Sequence, residues 1–263
     1  MPRRLGPLAL LLVMSATTLA ADNRDRFEAR TFEGGDLQLP YRLLMPKDYD
    51  PKQKYPLVVF LHGAGERGTD NKVQLVHGMN DFASDEVMAK YPAFVVAPQC
   101  PSDQRWVEVD WTLDKHTQPK EPGAALAATL KLVDALQREL SIDGRRIYVT
   151  GLSMGGYGVW DALARRPELF AAAAPICGGA DLATAGKIKA IPIWAFHGER
   201  DTVVKPHRSQ GMIAALKAAG AAQPAAGNTA PKYTEYPGVG HDSWTPTYRD
   251  PAFYEWLFAQ RKP

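Results

Sequence analysis

The chain has 263 residues, with 31 lysines and arginines against 29 aspartates and glutamates, so its formal net charge is only +2. A charge this close to zero gives no electrostatic case for a nucleic-acid partner or an anionic membrane surface. Hydrophobic residues make up 45% of the chain and charged residues 23%, a balance that supports a folded core without metal or disulfide staples.

The first residues of the chain have the pattern of a secretory signal peptide. A basic start precedes the apolar run 8–14, and small residues up to Ala21 then provide a cleavage site. The apolar run is too short to span a bilayer, although a single membrane anchor is the alternative. We expect residues 1–21 to be removed on export, which leaves a periplasmic or extracellular protein with no stable membrane anchor.

Strand and helix signals alternate along the rest of the chain. Short apolar or β-branched runs predict strands at 27–32, 37–44, 57–61, 94–97, 147–149, 170–176, 191–196 and 232–236. Helices are predicted at 123–140, 156–164, 209–219 and 251–260. The first two strands form a hairpin around the turn 33–36, and the Ala/Gly-rich stretch 218–231 is expected to be a flexible surface loop.

This alternation predicts the fold class. Strands that alternate with helices favour an α/β fold with a mostly parallel eight-stranded sheet and helices on both of its faces. The sequence contains no internal repeat, no low-complexity block and no insertion long enough for a large lid domain. We therefore expect residues 22–263 to form a single α/β domain.

The most informative motif is Gly151-Leu152-Ser153-Met154-Gly155, which lies between a predicted strand and a predicted helix. The order strand, G-x-S-x-G, helix is typical of a nucleophile elbow, a sharp turn that exposes a serine hydroxyl and tolerates only small neighbours. Ser153 is therefore the candidate nucleophile. The alternative, a glycine- and serine-rich turn without chemistry, is disfavoured by the partners described next.

A serine hydroxyl is a poor nucleophile near neutral pH, so it needs a base and a group that orients the base. Such groups follow the later strands in the chain order serine, acid, histidine. Asp201 follows the seventh predicted strand and is the candidate acid, with Glu199 and Asp181 as competitors. His241 follows the last predicted strand, next to a glycine, and is the candidate base.

An ester carbonyl under attack develops a negative oxygen, which needs hydrogen-bond donors. The backbone N–H of Met154, directly after the candidate nucleophile, is one such donor. The glycine-rich segment 61–68 follows an early strand and is expected to supply the second donor. Within this segment the N–H of Ala64 is preferred, and that of Gly65 is the next choice.

Three tryptophans, Trp106, Trp111 and Trp244, fall in or near loops at the expected site. Aromatic faces suit sugar rings or a phenolic acyl group. Trp106 and Trp244 are therefore candidate substrate contacts, together with Gly65 of the glycine-rich segment. The alternative is that each tryptophan anchors its loop to the core.

Other residues near these loops receive structural interpretations. His62 is expected to support the glycine-rich segment, and Glu66 and Arg67 are interpreted as structural charges. Cys100 and Cys177 both follow predicted strands. A disulfide between these two cysteines and a pair of buried thiols both remain open.

Taken together, these motifs resemble those of α/β-hydrolases of the esterase kind, a group that includes feruloyl esterases, polyhydroxyalkanoate depolymerases and prolyl-oligopeptidase-like hydrolases. The resemblance covers nearly all of residues 25–260 and rests on the segments 61–68, 97–101, 151–156, 175–179, 196–201 and 240–244. It implies hydrolysis of carboxylic esters by a triad of Ser153, His241 and Asp201, with no metal and no organic cofactor. Dienelactone hydrolases have a similar layout but use a cysteine where this chain has Ser153.

The resemblance also implies a class of substrates. We expect an exported serine esterase that acts on small or carbohydrate-linked esters of the acetyl or feruloyl type. A prolyl-oligopeptidase-like peptidase and a polyester depolymerase are the alternatives. A non-enzymatic binding module is disfavoured, because all three triad positions are filled. The oligomeric state stays open.

Overall fold

The computed structural model describes residues 22–34, 37–221 and 230–263. The predicted signal peptide at 1–21 lies outside the described residues, and so do parts of the predicted turn at 33–36 and of the predicted loop at 218–231. Within the three described ranges, no helix combines the length and the apolar composition that crossing a membrane requires.

The described part of the chain contains an eight-stranded sheet in the order β1-β2-β4-β3-β5-β6-β7-β8. The strands are β1 (Glu28–Glu33), β2 (Gln38–Leu44), β3 (Tyr55–Leu61), β4 (Phe94–Pro98), β5 (Ile142–Leu152), β6 (Ala172–Ile176), β7 (Trp194–Gly198) and β8 (Lys232–Tyr236). The pairs β1–β2 and β2–β4 are antiparallel, and the other five pairs are parallel. The predicted α/β class with a mostly parallel eight-stranded sheet is confirmed.

The α-helices of the described ranges cover both faces of this sheet. They are α1 (Met79–Phe82), α2 (Asp85–Lys90), α3 (Ala124–Glu139), α4 (Met154–Arg165), α5 (Ala185–Ile188), α6 (His207–Ala218), α7 (Trp244–Arg249) and α8 (Pro251–Ala259). Side chains alternate across a strand, so Leu57, Val59 and Leu61 of β3 enter the apolar layer under α3, α4 and α6. Val58 and Phe60 enter the opposite layer, which contains residues of α1, α7 and α8. The predicted helices on both faces are confirmed.

The bounds and number of the elements differ in places from the sequence-based expectation. Strand β5 begins at Ile142, five residues before the predicted strand, because Ile142 already pairs with Tyr55 ahead of a register shift. Helix α7 is not predicted, because Pro246 interrupts its pattern. The structure accommodates Pro246 in the first turn of α7, where no intrahelical bond needs its missing N–H. Of the two possibilities that the sequence leaves open for Cys100 and Cys177, the structure has the pair of buried thiols, because both cysteines are free and buried.

Candidate active site

Ser153 occupies the turn between the end of β5 and the start of α4. Its backbone has φ 53° and ψ −118°, a positive-φ conformation that is strained for a residue with a side chain. The turn is tight because β3 lies directly beside it. A Cβ on Gly151 would come within 2.6 Å of the Leu61 carbonyl oxygen. The G-x-S-x-G pattern therefore corresponds to the backbone geometry of a nucleophile elbow.

The side chains of Ser153, His241 and Asp201 are hydrogen-bonded in a row. The Ser153 hydroxyl donates to His241 Nε2 over 2.9 Å, and His241 Nδ1 donates to Asp201 Oδ2 over 2.7 Å. Both distances lie within the range that proton transfer requires. The structure thus brings together a hydroxyl, a base and a group that orients the base, while the catalytic roles of the three residues stay predictions.

Asp201 is held as a carboxylate by the groups that surround it. Its side chain is fully buried, and its Oδ1 accepts hydrogen bonds from the backbone N–H groups of Val203 (2.8 Å) and Val204 (3.0 Å). Burial alone would raise the pKa of this carboxyl, but the hydrogen bonds from His197, His241 and Val204 outweigh burial and lower the pKa well below its usual range. The negative charge beside His241 is therefore permanent at neutral pH.

The loops that carry Asp201 and His241 meet at the end of β7. A Cβ on Gly198 would lie 2.0 Å from the carbonyl oxygen of Gly240, so a side chain at position 198 would force the two loops apart. Because both loops follow parallel neighbouring strands, their side chains reach the same edge of the sheet. This packing explains why two residues 40 positions apart are in contact.

The residues that compete with Asp201 have other contacts. Glu199 Oε2 accepts a hydrogen bond from the backbone N–H of Gly238, and Asp181 caps a short helical turn through the N–H of Ala183. His197, which follows Phe196, is buried, and its ring nitrogens lie 2.8 Å from the Ser209 hydroxyl and 2.7 Å from the Val204 carbonyl oxygen. It supports the loop of the candidate acid.

The two predicted oxyanion donors border one cavity with Ser153. Met154 is the first residue of α4, and Ala64 is the first residue of a short 3-10 turn, Ala64–Glu66. The first N–H groups of a helical turn have no partner within the turn, and they carry a partial positive charge. The arrangement therefore offers backbone N–H groups from two different elements to a developing negative oxygen.

His62 lies beneath the turn that carries Ala64. Its Nδ1 donates to the Gly63 carbonyl oxygen over 2.6 Å, and its Nε2 accepts from the Cys100 N–H over 3.0 Å. Burial lowers the pKa of this imidazole from 6.5 to about 4. Only the neutral ring with its proton on Nδ1 can make both hydrogen bonds, so His62 has the supporting position that the sequence indicates.

A cavity of about 280 Å³ opens beside Ser153. Its lining combines residues from several loops and from the start of α4. The lining residues are Gly63, Ala64, Gly65, Glu66, His77, Trp111, Leu152, Ser153, Met154, Tyr157, Val203, Val204, His241 and Trp244. The predicted contacts Gly65 and Trp244 belong to this lining. The Trp244 ring stands edge to face with the His241 ring, at 5.3 Å between centroids. The aromatic and aliphatic walls suit an apolar acyl group or the face of a sugar.

The prediction that Trp106 contacts substrate is wrong. Its side chain is fully buried, and its Nε1 donates to the His62 carbonyl oxygen over 2.9 Å. The ring packs edge to face on the His62 ring at 5.1 Å. Trp106 thus anchors its loop to the core. Trp111, five residues later, lines the cavity instead, and the Arg105 guanidinium lies over its ring at 4.1 Å.

Glu66, His77 and Tyr157 are among the residues of the cavity wall that have no predicted role in the site. Glu66 and His77 lie 3.5 Å apart, between Glu66 Oε1 and His77 Nε2, and Tyr157 of α4 donates its hydroxyl to the Trp111 carbonyl oxygen over 3.3 Å. A histidine in a loop without a strand before it gives no sequence signal. For Glu66, the signal is available: it follows Gly63 by three residues, the spacing of a residue that closes a helical turn on its own cap.

Cys177 lies beside the triad and raises the question of a metal. Its thiol, Asp201 and His241 offer ligand atoms that lie within 4.8 Å of one another. Burial raises the pKa of the Cys177 thiol well above its usual range, whereas a metal ligand must be a thiolate. The Asp201 and His241 atoms already bond each other. The chemistry of this donor set therefore does not fit a metal centre.

Comparisons with known proteins show which families share this chain's sequence and fold. A family model described as "Putative esterase" matches residues 37–236. The solved structure of a thermostable esterase aligns with a TM-score of 0.82 at 44% sequence identity, over 91% of this chain and 64% of the other.

Two curated proteins are similar over shorter stretches. A bifunctional acetylxylan esterase/xylanase from Neocallimastix patriciarum is 32% identical over 84 residues, which are 32% of this chain and 12% of that protein. A poly(3-hydroxyalkanoate) depolymerase C from Paucimonas lemoignei is 32% identical over 124 residues, which are 47% of this chain and 28% of that protein. The aligned region spans less than two thirds of the length of each of these three relatives.

Proposed function

The chain belongs to the esterase family of α/β-hydrolases, as its motifs indicate, and from that premise we propose that it hydrolyses carboxylic esters through an acyl-enzyme. One observation carries the proposal: the hydrogen-bonded row of Asp201, His241 and Ser153, with distances of 2.7 and 2.9 Å. The row ends at a cavity that the start of α4 and the short turn Ala64–Glu66 border. A hydroxyl, a base and oxyanion donors at one cavity are the groups that acyl transfer requires.

In the first half of the reaction the enzyme is acylated. Ser153 Oγ forms a bond to the ester carbonyl carbon while its proton passes to His241 Nε2. The N–H groups of Met154 and Ala64 hold the oxygen that becomes negative. When the bond from carbon to the alkoxy oxygen breaks, His241 returns the proton to the leaving alcohol. Asp201 keeps the imidazole in the required tautomer and stabilises its protonated form.

In the second half, water replaces the alcohol and repeats the sequence. His241 accepts one proton of the water, whose oxygen bonds to the acyl carbon. The bond between that carbon and Ser153 Oγ then breaks, and the serine recovers its proton from His241. The products are a carboxylic acid and an alcohol, and no step requires an electron acceptor or a metal.

We propose small or carbohydrate-linked esters, of acetyl or feruloyl type, as the substrates. The aromatic lining supports this choice, because Trp111 and Trp244 offer rings to a sugar or a phenolic acyl group. Similarity to an acetylxylan esterase/xylanase supports it as well. A polyester depolymerase is a second candidate, favoured by the similarity to a poly(3-hydroxyalkanoate) depolymerase.

We also propose that the protein is exported. The proposal rests on the basic, apolar and small-residue order of residues 1–21. Expression of the whole chain in a bacterium, followed by mass spectrometry of the periplasmic and cytoplasmic fractions, tests it. A mature amino terminus near residue 22 in the periplasm is expected, and full-length protein confined to the cytoplasm would contradict export.

Active-site labelling followed by a substrate panel tests the activity. A fluorophosphonate probe is expected to label the wild-type protein and the Ser102→Ala variant, in which an exposed serine is replaced, but not Ser153→Ala. The panel contains aryl acetates, acetylated xylan, a feruloylated arabinoside, poly(3-hydroxybutyrate) and a proline-containing amide. Equal labelling of Ser153→Ala, or hydrolysis of the amide alone, would overturn the proposed ester hydrolysis.

A further inference from the structure

Glu66 is a largely buried carboxylate that the reaction described above does not use. Its side chain is only 13% exposed, and it closes the short turn Ala64–Glu66, whose N-cap is Gly63. The side chain folds back on that cap, because a Cβ on Gly63 would lie 2.9 Å from Glu66 Oε2. A glutamate three residues after the N-cap that reaches back to it is half of a capping box, in which the carboxylate faces the N–H of the cap.

The two oxygens of this carboxylate have different surroundings. Oε1 lies 3.5 Å from His77 Nε2. Oε2 is buried and has no partner at full hydrogen-bond geometry among the described residues. Burial alone would raise the pKa of Glu66, but hydrogen bonding to His77, with a smaller contribution from the Gly63 N–H, lowers it. Glu66 is thus ionised, and within the cavity wall its two oxygens lie against His77 and Gly63.

Glu66 also connects the turn to the opposite wall of the site. The His77 ring lies 5.2 Å from the Trp244 ring, and the Trp244 ring lies 5.3 Å from the His241 ring. On the other side of the turn, Arg67 Nε donates to the Ala64 carbonyl oxygen over 2.9 Å. Side chains therefore hold the turn from both sides, and Ala64 stands between them.

We propose, on the premise of the proposed ester hydrolysis, that Glu66 is a positioning residue that acts through Gly63 to aim the Ala64 N–H at the oxyanion. Oε2 is buried against the backbone, so the carboxylate does not reach the substrate with that atom. An oxyanion donor is effective only when it points at the place where charge develops in the transition state. Loss of Glu66 would leave the substrate-binding walls in place and weaken only the stabilisation of the tetrahedral state.

Three variants of Glu66 and one matched control test this role. Glu66→Ala removes the carboxylate, Glu66→Asp keeps the charge but shortens its reach, and Glu66→Gln keeps an oxygen that can accept from the Gly63 N–H. The control is Asp143→Ala, because Asp143 is an equally buried carboxylate, 11% exposed, which pairs with Arg146 at 2.8 Å and Arg261 at 3.1 Å. Asp143 lies in the first part of β5, and Ser153 follows the last residue of that strand.

The measurements are kcat and KM for 4-nitrophenyl acetate, the inhibition constant of a boronic acid that forms a tetrahedral adduct with Ser153, and the melting temperature. Loss of a whole oxyanion donor costs roughly 100- to 1000-fold in kcat, so misalignment in Glu66→Ala is expected to cost about 10- to 100-fold. KM should change less than about threefold. The inhibition constant of the boronic acid should rise by the same factor by which kcat falls. Glu66→Asp should resemble the alanine variant, and Glu66→Gln should recover most of kcat.

Several outcomes would overturn the role of Glu66. One is a loss of kcat no larger than that of Asp143→Ala, and another is a rise in KM with unchanged boronic acid inhibition. If Glu66→Ala does not fold, the comparison of Glu66→Asp with Glu66→Gln tests the proposal instead. Equal kcat in those two variants would contradict it. Failure of the proposed function is distinguishable, because the wild-type protein would then neither hydrolyse the ester nor bind the boronic acid.

Discussion

Gly155 and Leu61 are in such close contact that a Cβ on Gly155 would stand 1.9 Å from the Leu61 carbonyl oxygen. Gly155 is the second residue of α4, and Leu61 is the last residue of β3. Their contact brings the start of α4 against the strand whose following loop carries Ala64. The nucleophile turn and the second oxyanion donor therefore meet because position 155 has no side chain.

Gly155→Ala is expected to abolish most activity. The new methyl group would meet backbone and not a flexible side chain, so α4 or β3 must move, and a misplacement of about 1 Å at a catalytic group costs roughly 100-fold in rate. The measurements are kcat/KM on an aryl acetate and the melting temperature, which should fall. Gly186→Ala is the control: nothing lies within 4 Å of its Cβ position, and alanine is the better helix former in α5. Wild-type kinetics in Gly155→Ala would show that the contact is unimportant.

Asp201→Asn is expected to lower turnover by a factor on the order of 10⁴ while the protein stays folded. The amide has the size of the carboxylate, but its N–H₂ group can donate to His241 Nδ1 and thereby favour the tautomer that cannot accept the serine proton. Comparison of kcat with that of Glu199→Gln measures the effect, because Glu199 accepts a hydrogen bond from the Gly238 N–H, whereas His241 bonds Asp201. A similar loss in both variants would contradict the assignment of Asp201 as the acid.

Much of this site could be predicted from the sequence, because its residues follow strands. The carboxyl ends of parallel strands share one edge of a sheet, so Ser153, Asp201 and His241 were expected to converge without knowledge of any distance. Trp106 shows where this reasoning fails. A loop position near the site does not tell whether a side chain points outward to the cavity or inward to His62.

Glu66 and His77 illustrate a second limit of the sequence. The spacing from Gly63 is that of a capping glutamate, but a charged residue beside a glycine-rich loop is usually solvated, so the spacing by itself does not show that Glu66 turns back on its own cap. His77 follows no strand, so nothing in the pattern brings it to Trp244. Contacts between side chains of separate loops depend on how those loops pack, and periodicity carries no information about that packing.

Trp106→Ala and Trp244→Ala are expected to change different properties, the first the stability of the protein and the second its preference among esters. Removal of the fully buried Trp106 side chain should cost about 3–5 kcal/mol of unfolding free energy, as for other buried tryptophans. Trp244 is partly exposed at the cavity, so its removal should mainly change kcat/KM for esters with aromatic acyl groups relative to acetates. Chemical denaturation and a two-substrate comparison measure both effects. If Trp106→Ala instead kept wild-type stability and changed the ester preference, Trp106 would be a substrate contact and not an anchor of its loop.

The buried imidazole of His62 is expected to make the protein less stable in mild acid. Its pKa is lowered from 6.5 to about 4, so between these values the unfolded chain binds a proton that the folded protein does not. Stability from this group is therefore fully present above about pH 6.5 and falls as the pH drops towards 4, by about 2 kcal/mol at about pH 5.

His62→Gln should be less stable than the wild type at neutral pH, because it disturbs the hydrogen bonds to Gly63 and Cys100, yet it should lose this acid dependence. Urea denaturation at neutral pH and at about pH 5 measures how much the free energy of unfolding falls in acid. The control is His207→Gln, which should keep the wild-type acid dependence, because the His207 side chain is 47% exposed. An unchanged acid dependence in His62→Gln would show that another group is responsible for it.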